Sequence, residues 1–384
     1  MKKWPKADWR FVLVAFVVWR LALALFQWLG MEQLPLQSDF IAAGFRAETY
    51  TTNPWLWGWT NFDGQHYLHI ARQGYRHLVY FYFPAYPYIS RFIGGIIAHQ
   101  PQEIVISGLL ISHMSAAAAL LGIYKITSLD YPKRIARRAV VLTLLWPGSF
   151  YLASFYTEAL FLALSVWAFY LLRVGRPVFG GVLGAVSTAT RLIGIAIIPA
   201  FWVESVVSKK SKRVSIFFGS MLIPLGLAAY MVFLSSIVGD PLAFSRDGEI
   251  FGEYRLGTPF SVPQALYRYL FKILPNLNYS YFFGTFTAYL ELATALLLTI
   301  FSLVGFFKLR ASYWVYLVIS FLVPVHALNF VSLPRYTLSM FPFFILGSVL
   351  LESFPPVARN VVYAGLLIVL GIATAMFTRG YWVA

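Results

Sequence analysis

Long apolar stretches recur along almost the whole chain, covering about 11–29, 103–124, 139–151, 157–172, 178–190, 192–207, 214–238, 282–307, 313–331, 336–351 and 360–378. Several approach the roughly 20 residues needed to cross a hydrocarbon core, so the pattern predicts transmembrane helices. The expected fold is all-α: a polytopic membrane protein with about 11 transmembrane helices in a single transmembrane domain over residues 1–384. There is no internal repeat and no low-complexity segment. Two intervening segments are long, 30–102 and 239–281, and both combine Pro, Trp and Tyr with amphipathic stretches. Loops of that length are uncommon unless functional or disordered. Their aromatic content favours amphipathic helices lying in the membrane interface.

Composition sharpens the assignment. Hydrophobic residues make up 59% of the 384 positions and charged residues 12%, against about 25% charged in soluble domains. The net charge of +15 does not point to nucleic acid, because the basic residues sit in short clusters between apolar stretches, where the positive-inside rule uses them. The partner implied is the bilayer. MKKWPKADWR precedes an apolar run from Phe11 to Leu29 that is too long for a signal-peptide core, so it reads as a retained first helix. With no cysteine, disulfide and thiolate chemistry are excluded.

Charge also orders the topology. With Lys2, Lys3, Lys6 and Arg10 in the cytoplasm, alternation places five clusters on the same side. They are Lys125 with Lys133, Arg134, Arg137 and Arg138; Arg173 with Arg176; Lys209, Lys210, Lys212 and Arg213; Lys308 with Arg310; and Arg359. That gives 18 of the 30 Lys and Arg inside, almost without acidic partners, and most of the 15 acidic residues outside. The solution requires residues 178–207 to be two short helices meeting near Arg191, since one span would carry Lys209–Arg213 outside. A broken helix at membrane depth is tolerated only where it is buried in protein or lines a watery cavity.

Ionisable residues at membrane depth cost about 2.5–3.5 kcal/mol each on insertion scales, which makes each a functional candidate. Four stand out, Asp63, Glu158, Arg191 and Arg335, and all fall at or near the predicted outer face. Each has a plainer alternative. Asp63 precedes a short interfacial helix that Gly74 would cap, and could be only an N-cap. Glu158, after the Trp146-Pro147-Gly148 break, starts an apolar helix and could cap it likewise. Arg191 could snorkel to headgroups, and Arg335, after Pro334, could mark a helix end. His66 and His69, three apart, suggest a metal only weakly, and no HExxH pattern is present. The aromatic block from Tyr80 to Tyr88 is denser than an interfacial belt requires and suits a substrate groove.

At these residues the sequence resembles the PIG-V-like mannosyltransferases, a branch of the GT-C superfamily of polytopic membrane glycosyltransferases. The matching stretches, in order, are NFDGQHYLHIARQGY, FPAYPYISR, SFYTEALF, ATRLIG and LPRY, spanning about residues 60 to 340. One departure is Phe62, where the family usually has Trp. The resemblance implies a polyprenyl-phosphate sugar donor and a lipid or glycan acceptor, and the short, cysteine-free chain looks like a prokaryotic member. It implies a cell-membrane location (endoplasmic reticulum in a eukaryote), with the N-terminus cytoplasmic and the site extracytoplasmic. Asp63 matches the family's catalytic acidic residue and would be general base in an inverting transfer. Arg191 and Arg335 would clamp the phosphate, and Glu158 would orient an Arg or hold sugar hydroxyls. His66, Tyr67, Tyr86, Arg91 and Tyr156 complete the substrate-binding candidates. No organic cofactor is implied, and a divalent cation is left open. The rival class is a transporter or flippase of lipid-linked sugars, although the inverted repeats common in transporters are not visible. A third is a membrane acyltransferase, which wants a catalytic His deep in the membrane; His113 and His326 are present but without supporting motifs.

Overall fold

The protein is described from a computed structural model, which covers residues 8–37, 50–97, 100–208, 210–250, 261–325 and 329–383. His326, half of the acyltransferase reading, and Lys2, Lys3, Lys6 and Lys209 of the basic clusters lie outside these residues. Helices make up the ordered structure throughout. In chain order they are α1 (Trp9–Gln33), α2 (Pro54–Trp57), α3 (Asp63–Gln73), α4 (Ala85–Ile97), α5 (Pro101–Thr127), α6 (Lys133–Leu145), α7 (Glu158–Arg173), α8 (Pro177–Thr188) and α9 (Ile197–Val207). There follow α10 (Lys210–Leu222), α11 (Leu225–Val238), α12 (Ala243–Ile250), α13 (Ser261–Arg268), α14 (Phe282–Lys308), α15 (Ala311–Val325), α16 (Leu333–Tyr336), α17 (Phe341–Leu350) and α18 (Pro356–Thr378).

Among the described residues, five segments are long and apolar enough to cross a membrane alone: α1, α5, Lys212–Val238, α14 and α18. A sixth is broken, with Leu333–Ser339 and Phe341–Ser353 meeting at 90°. The other expected spans are shorter helices, including Pro177–Thr188, Leu192–Val207 and Ala311–Val325. The apolar pattern therefore located the helices, but the count of about 11 full crossings is not reached by length. One contiguous set of buried apolar residues nevertheless runs from Val12 to Val383.

The helix ends sort into two faces. On one, Arg137 pairs with Asp8, Arg134 and Arg138 pair with Glu352, Arg173 pairs with Asp130, and Arg310 grips Glu204 at 2.6 and 2.7 Å. These are bases of the predicted cytoplasmic clusters. The expectation that they have almost no acidic partners is corrected: four acidic residues distant in sequence or across a turn come back to them. Asp63, Glu158, Arg191 and Arg335 lie apart from these pairs, at the starts of α3 and α7, after α8 and in the single turn of α16. α7 spans the two, starting at Glu158 and ending at Arg173, about 24 Å for its 16 residues.

Close helix approach makes this possible with small residues. Gly181 of α8 faces Gly219 of α10: a Cβ on Gly181 would collide with the Gly219 backbone, and one on Gly219 with the Pro177 carbonyl at the start of α8, the small-residue contact typical of membrane helices. Gly181→Val should therefore lower the thermal-shift midpoint by several degrees. Gly365→Val, with nothing within 4 Å of its Cβ position, should leave it within about one degree. Equal midpoints would remove the packing argument.

Candidate active site

Four separate backbone irregularities deliver four charged side chains to one place. Phe62 takes φ 55°, a conformation bulky residues rarely adopt, just before Asp63 opens α3. The chain breaks at Trp146-Pro147-Gly148, passes through a short 3-10 segment, Ser149–Ala153, and presents Glu158 at the start of α7. Arg191 is extended between α8 and the 3-10 turn Leu192–Ala196, the break expected between two short helices. Ser332, at φ 61°, precedes the single turn of α16 that carries Arg335. Trp146 Nε1 donates to the Pro334 carbonyl at 2.7 Å, and Gly148 packs so close to that carbonyl that a Cβ would meet it at 2.8 Å. The Trp-Pro-Gly break thus seats the Arg335 turn.

The plainer readings of the four residues do not describe them. The N-cap of α3 is Phe62, and no side chain caps it. The Asp63 carboxylate pairs instead with Arg335 and accepts from Tyr82 Oη at 3.2 Å. Glu158, 1% exposed, pairs with Arg191 and lies 3.5 Å from Arg335 Nε. Arg191 also donates to Thr157 Oγ1 at 3.2 Å, so it is held inside the protein. Arg335, 6% exposed, rests over the rings of Tyr151, Tyr156 and Tyr336 at 5.2–5.8 Å. The result is a neutral chain of alternating charge, Asp63–Arg335–Glu158–Arg191. Glu158 Oε2 and Arg335 Nε have no hydrogen-bond partner within it.

Asp63, Arg191 and Arg335 face a cavity of about 100 Å³ that is walled also by Tyr67, Tyr82 and Tyr336. Glu158 stands behind the two guanidinium groups rather than on the cavity wall. The other candidates spread out. His66 stacks on Tyr82 at 4.8 Å. Tyr156 lies beneath Arg335 and donates to the Asn61 carbonyl at 2.6 Å. Tyr86 is buried, its hydroxyl within 2.9 Å of both the Gly108 carbonyl and Ser112 Oγ. Arg91 is exposed and lines a separate hollow with Tyr88, Phe92, Gly95 and Ile96. His113 is also apart, bonded to Arg20 Nε at 2.9 Å. Among the described residues no three His, Asp or Glu gather to hold a metal ion. Tyr82 and Tyr336 were not singled out from sequence. Tyr82 sat inside the flagged aromatic block and Tyr336 inside LPRY, whereas Tyr151 carried no signal.

The electrostatics of the outer segment follow from this geometry. Burial alone would raise the Asp63 carboxyl, but the charge of Arg335 and the hydrogen bonds from Arg335 and Tyr82 hold it below its ordinary 3.8. Burial lowers His66 below 6.5, and nearby Asp63 does not fully offset that. At neutral pH the pair is therefore carboxylate beside neutral imidazole. A histidine whose folded pKa is depressed lends stability that is full above its unfolded pKa and is lost as pH falls towards the folded value. The midpoint of thermal unfolding should thus fall as pH drops below about 6.5, and His66→Gln should make that fall shallower. Superimposable pH profiles would contradict the assignment.

Comparison with known proteins fits this picture in part. The family described as Mannosyltransferase (PIG-V) matches over residues 34–209, confirming the resemblance there. The matched stretch holds Asp63, Glu158 and Arg191 but stops short of Arg335, so it is narrower than the span from 60 to 340 read from the motifs. No curated protein matches the chain. Solved structures of the Archaeoglobus fulgidus oligosaccharyltransferase are similar at a low level. The form tethered to an acceptor peptide with an NVT sequon shares 16% identity at a TM-score of 0.48, covering 100% of this chain and 56% of that one. The apo form shares 12% at 0.46, covering 99% and 56%. This chain spans little more than half the length of those proteins.

Proposed function

We propose that the chain is an inverting mannosyltransferase that takes its sugar from a polyprenyl-phosphate donor and passes it to a lipid or glycan acceptor. The observation that carries the reading is the convergence of Asp63, Arg191 and Arg335 on one cavity. A carboxylate for a hydroxyl proton and two guanidinium forks for a phosphate are what this transfer requires. The acceptor oxygen forms its bond to the anomeric carbon as the bond from that carbon to the phosphate oxygen breaks. The hydroxyl proton goes to Asp63, and the charge left on the prenyl phosphate is held by Arg335 and Arg191. Glu158 keeps both guanidinium groups in place from behind.

The pairing of Asp63 with Arg335 gives the order of events. While Arg335 holds it, the Asp63 carboxylate is a weak base. A phosphate that engages Arg335 competes with Asp63 for it, relieving the pull that depresses the carboxyl and readying it to accept a proton. Binding of donor then prepares the base.

An apolar groove supports the lipid part of the donor. Leu192, Ile195, Ala196, Ile319 and Leu322 line a cavity of roughly 370 Å³ that shares Leu192, Ile193 and Val323 with the site cavity. A prenyl tail would leave the phosphate along it. Under the alternation of charge clusters this site faces the extracytoplasmic side, with the N-terminus in the cytoplasm.

Purified protein incubated with radiolabelled polyprenyl-phosphate mannose and a lipid extract should yield a mannosylated product. Movement of donor between leaflets without product would favour the flippase. Asp63→Asn should lower turnover per folded molecule by about 100- to 10,000-fold, a loss to be read beside the lower unfolding midpoint that the unpaired Arg335 brings, and normal turnover would dismiss the base. Arg335→Ala should weaken donor binding more than Arg335→Lys. Ile195→Trp, in the part of the groove not shared with the site cavity, should weaken a long-chain prenyl phosphate by about 10-fold or more and spare a two-isoprene analogue. Equal losses for both chain lengths would move the tail elsewhere.

A further inference from the structure

Helix α14 carries one carboxylate that none of this uses. Glu291 lies in a membrane-spanning helix and is 4% exposed. Its Oε2 accepts from Tyr269 Oη at 2.5 Å and its Oε1 from the Ser332 amide at 3.3 Å. Among the described residues no Lys, Arg or His pairs with it. A buried carboxylate without a counter-cation is costly at membrane depth and is a functional candidate by that fact.

Glu291 also closes one end of a cavity of roughly 230 Å³. One wall is the small-residue face of α14, Gly284, Thr287 and Ala288, which leaves the space open. The other is aromatic, Tyr381 and Trp382, and Tyr281, 44% exposed, stands at the end away from Glu291. This cavity shares no lining residue with the Asp63 cavity, yet it abuts the same machinery. Trp382 meets the Phe62 ring edge-on at 5.0 Å, one residue before Asp63. Ser332, held by Glu291, is three residues before Arg335.

The two cavities differ in charge. The first presents guanidinium groups and suits an anion. The second holds a carboxyl group and, among its lining residues, no cation to pair with a phosphate, and about two of the four lone-pair directions of that carboxyl are still unused. Aromatic rings and a hydrogen-bonding carboxyl lining one cavity fit a ring that carries several hydroxyls, its apolar face against the aromatic side chains and its hydroxyls on Glu291. We propose that the Glu291 cavity binds the polyhydroxylated ring of the acceptor, a sugar or cyclitol unit, beside the Asp63 base. This rests on the transferase reading.

The test is equilibrium binding of radiolabelled octyl α-mannoside, and separately of prenyl phosphate, to the full-length protein in nanodiscs. Ala288→Phe, which fills the cavity without touching the Ser332 bond, should weaken octyl mannoside by about 10-fold or more, and Glu291→Gln by about 10-fold. Prenyl-phosphate affinity should stay unchanged in Ala288→Phe. If Glu291→Gln weakens both ligands, Glu291 acts by holding the Arg335 turn, and the assignment then stands or falls on Ala288→Phe. Equal octyl mannoside binding by wild type and Ala288→Phe overturns it, as does no binding by wild type. Failure of the wild type to bind prenyl phosphate would instead sink the transferase reading, so the two failures are told apart.

Discussion

The constraint on which the structure turns is the alternating chain Asp63–Arg335–Glu158–Arg191. No single member is affordable alone at this depth; removing one partner of a buried pair typically costs about 3–5 kcal/mol because the other charge is left uncompensated. Together they are neutral. Each is delivered by a departure from regular helix, namely the φ of Phe62, the Trp-Pro-Gly break, the extended Arg191 and the φ of Ser332. The strained backbone has its compensation in the charges it brings together, and the charges are stable because the backbone brings them together.

The other face of the bundle uses the same ion-pair chemistry for a different end. Glu204 holds Arg310 through two oxygens, accepts from Ser312 Oγ at 2.8 Å and lies 3.8 Å from Arg173. Glu352 joins the end of the broken span to α6. Basic residues of the clusters that the positive-inside rule picked out therefore tie helix ends to one another. The pairs here are partly exposed and join helix ends. Those at the other face surround a cavity, and that difference separates a structural layer from a candidate catalytic one.

Much of this was legible in the chain because membranes make charge conspicuous. Asp63, Glu158, Arg191 and Arg335 stood out against apolar surroundings, and the break at Arg191 followed from where the next basic cluster had to lie. Gly74 was identified as the cap of α3, and at φ 85° it is one. Which carboxylate meets which guanidinium was not legible, since Asp63 and Arg335 lie on helices whose relative placement only packing decides. The acidic partners of the basic clusters were missed for the same reason. Tyr151 was invisible because one more aromatic in an aromatic-rich membrane protein carries no signal. Glu291 was within reach, being the one charge between Phe282 and Phe307. Arg20, midway along α1 and bonded to His113, was equally so.

The closed state of the site bears on how the proposed transfer would begin. Asp63, Arg191 and Arg335 are each already engaged by another protein group, so under the proposed function a donor phosphate would enter by exchange rather than by filling a vacancy. Arg335 is where exchange is easiest, because Glu158 lies 3.5 Å from its Nε without a hydrogen bond and holds it from the far side while Asp63 lets go. The carboxylate behind the guanidinium groups keeps them from following the phosphate out. The carboxylate in front would thereby be freed within the cavity it shares with Arg191 and Arg335. One guanidinium between two carboxylates of different accessibility is thus enough to couple capture of an anion to release of a base.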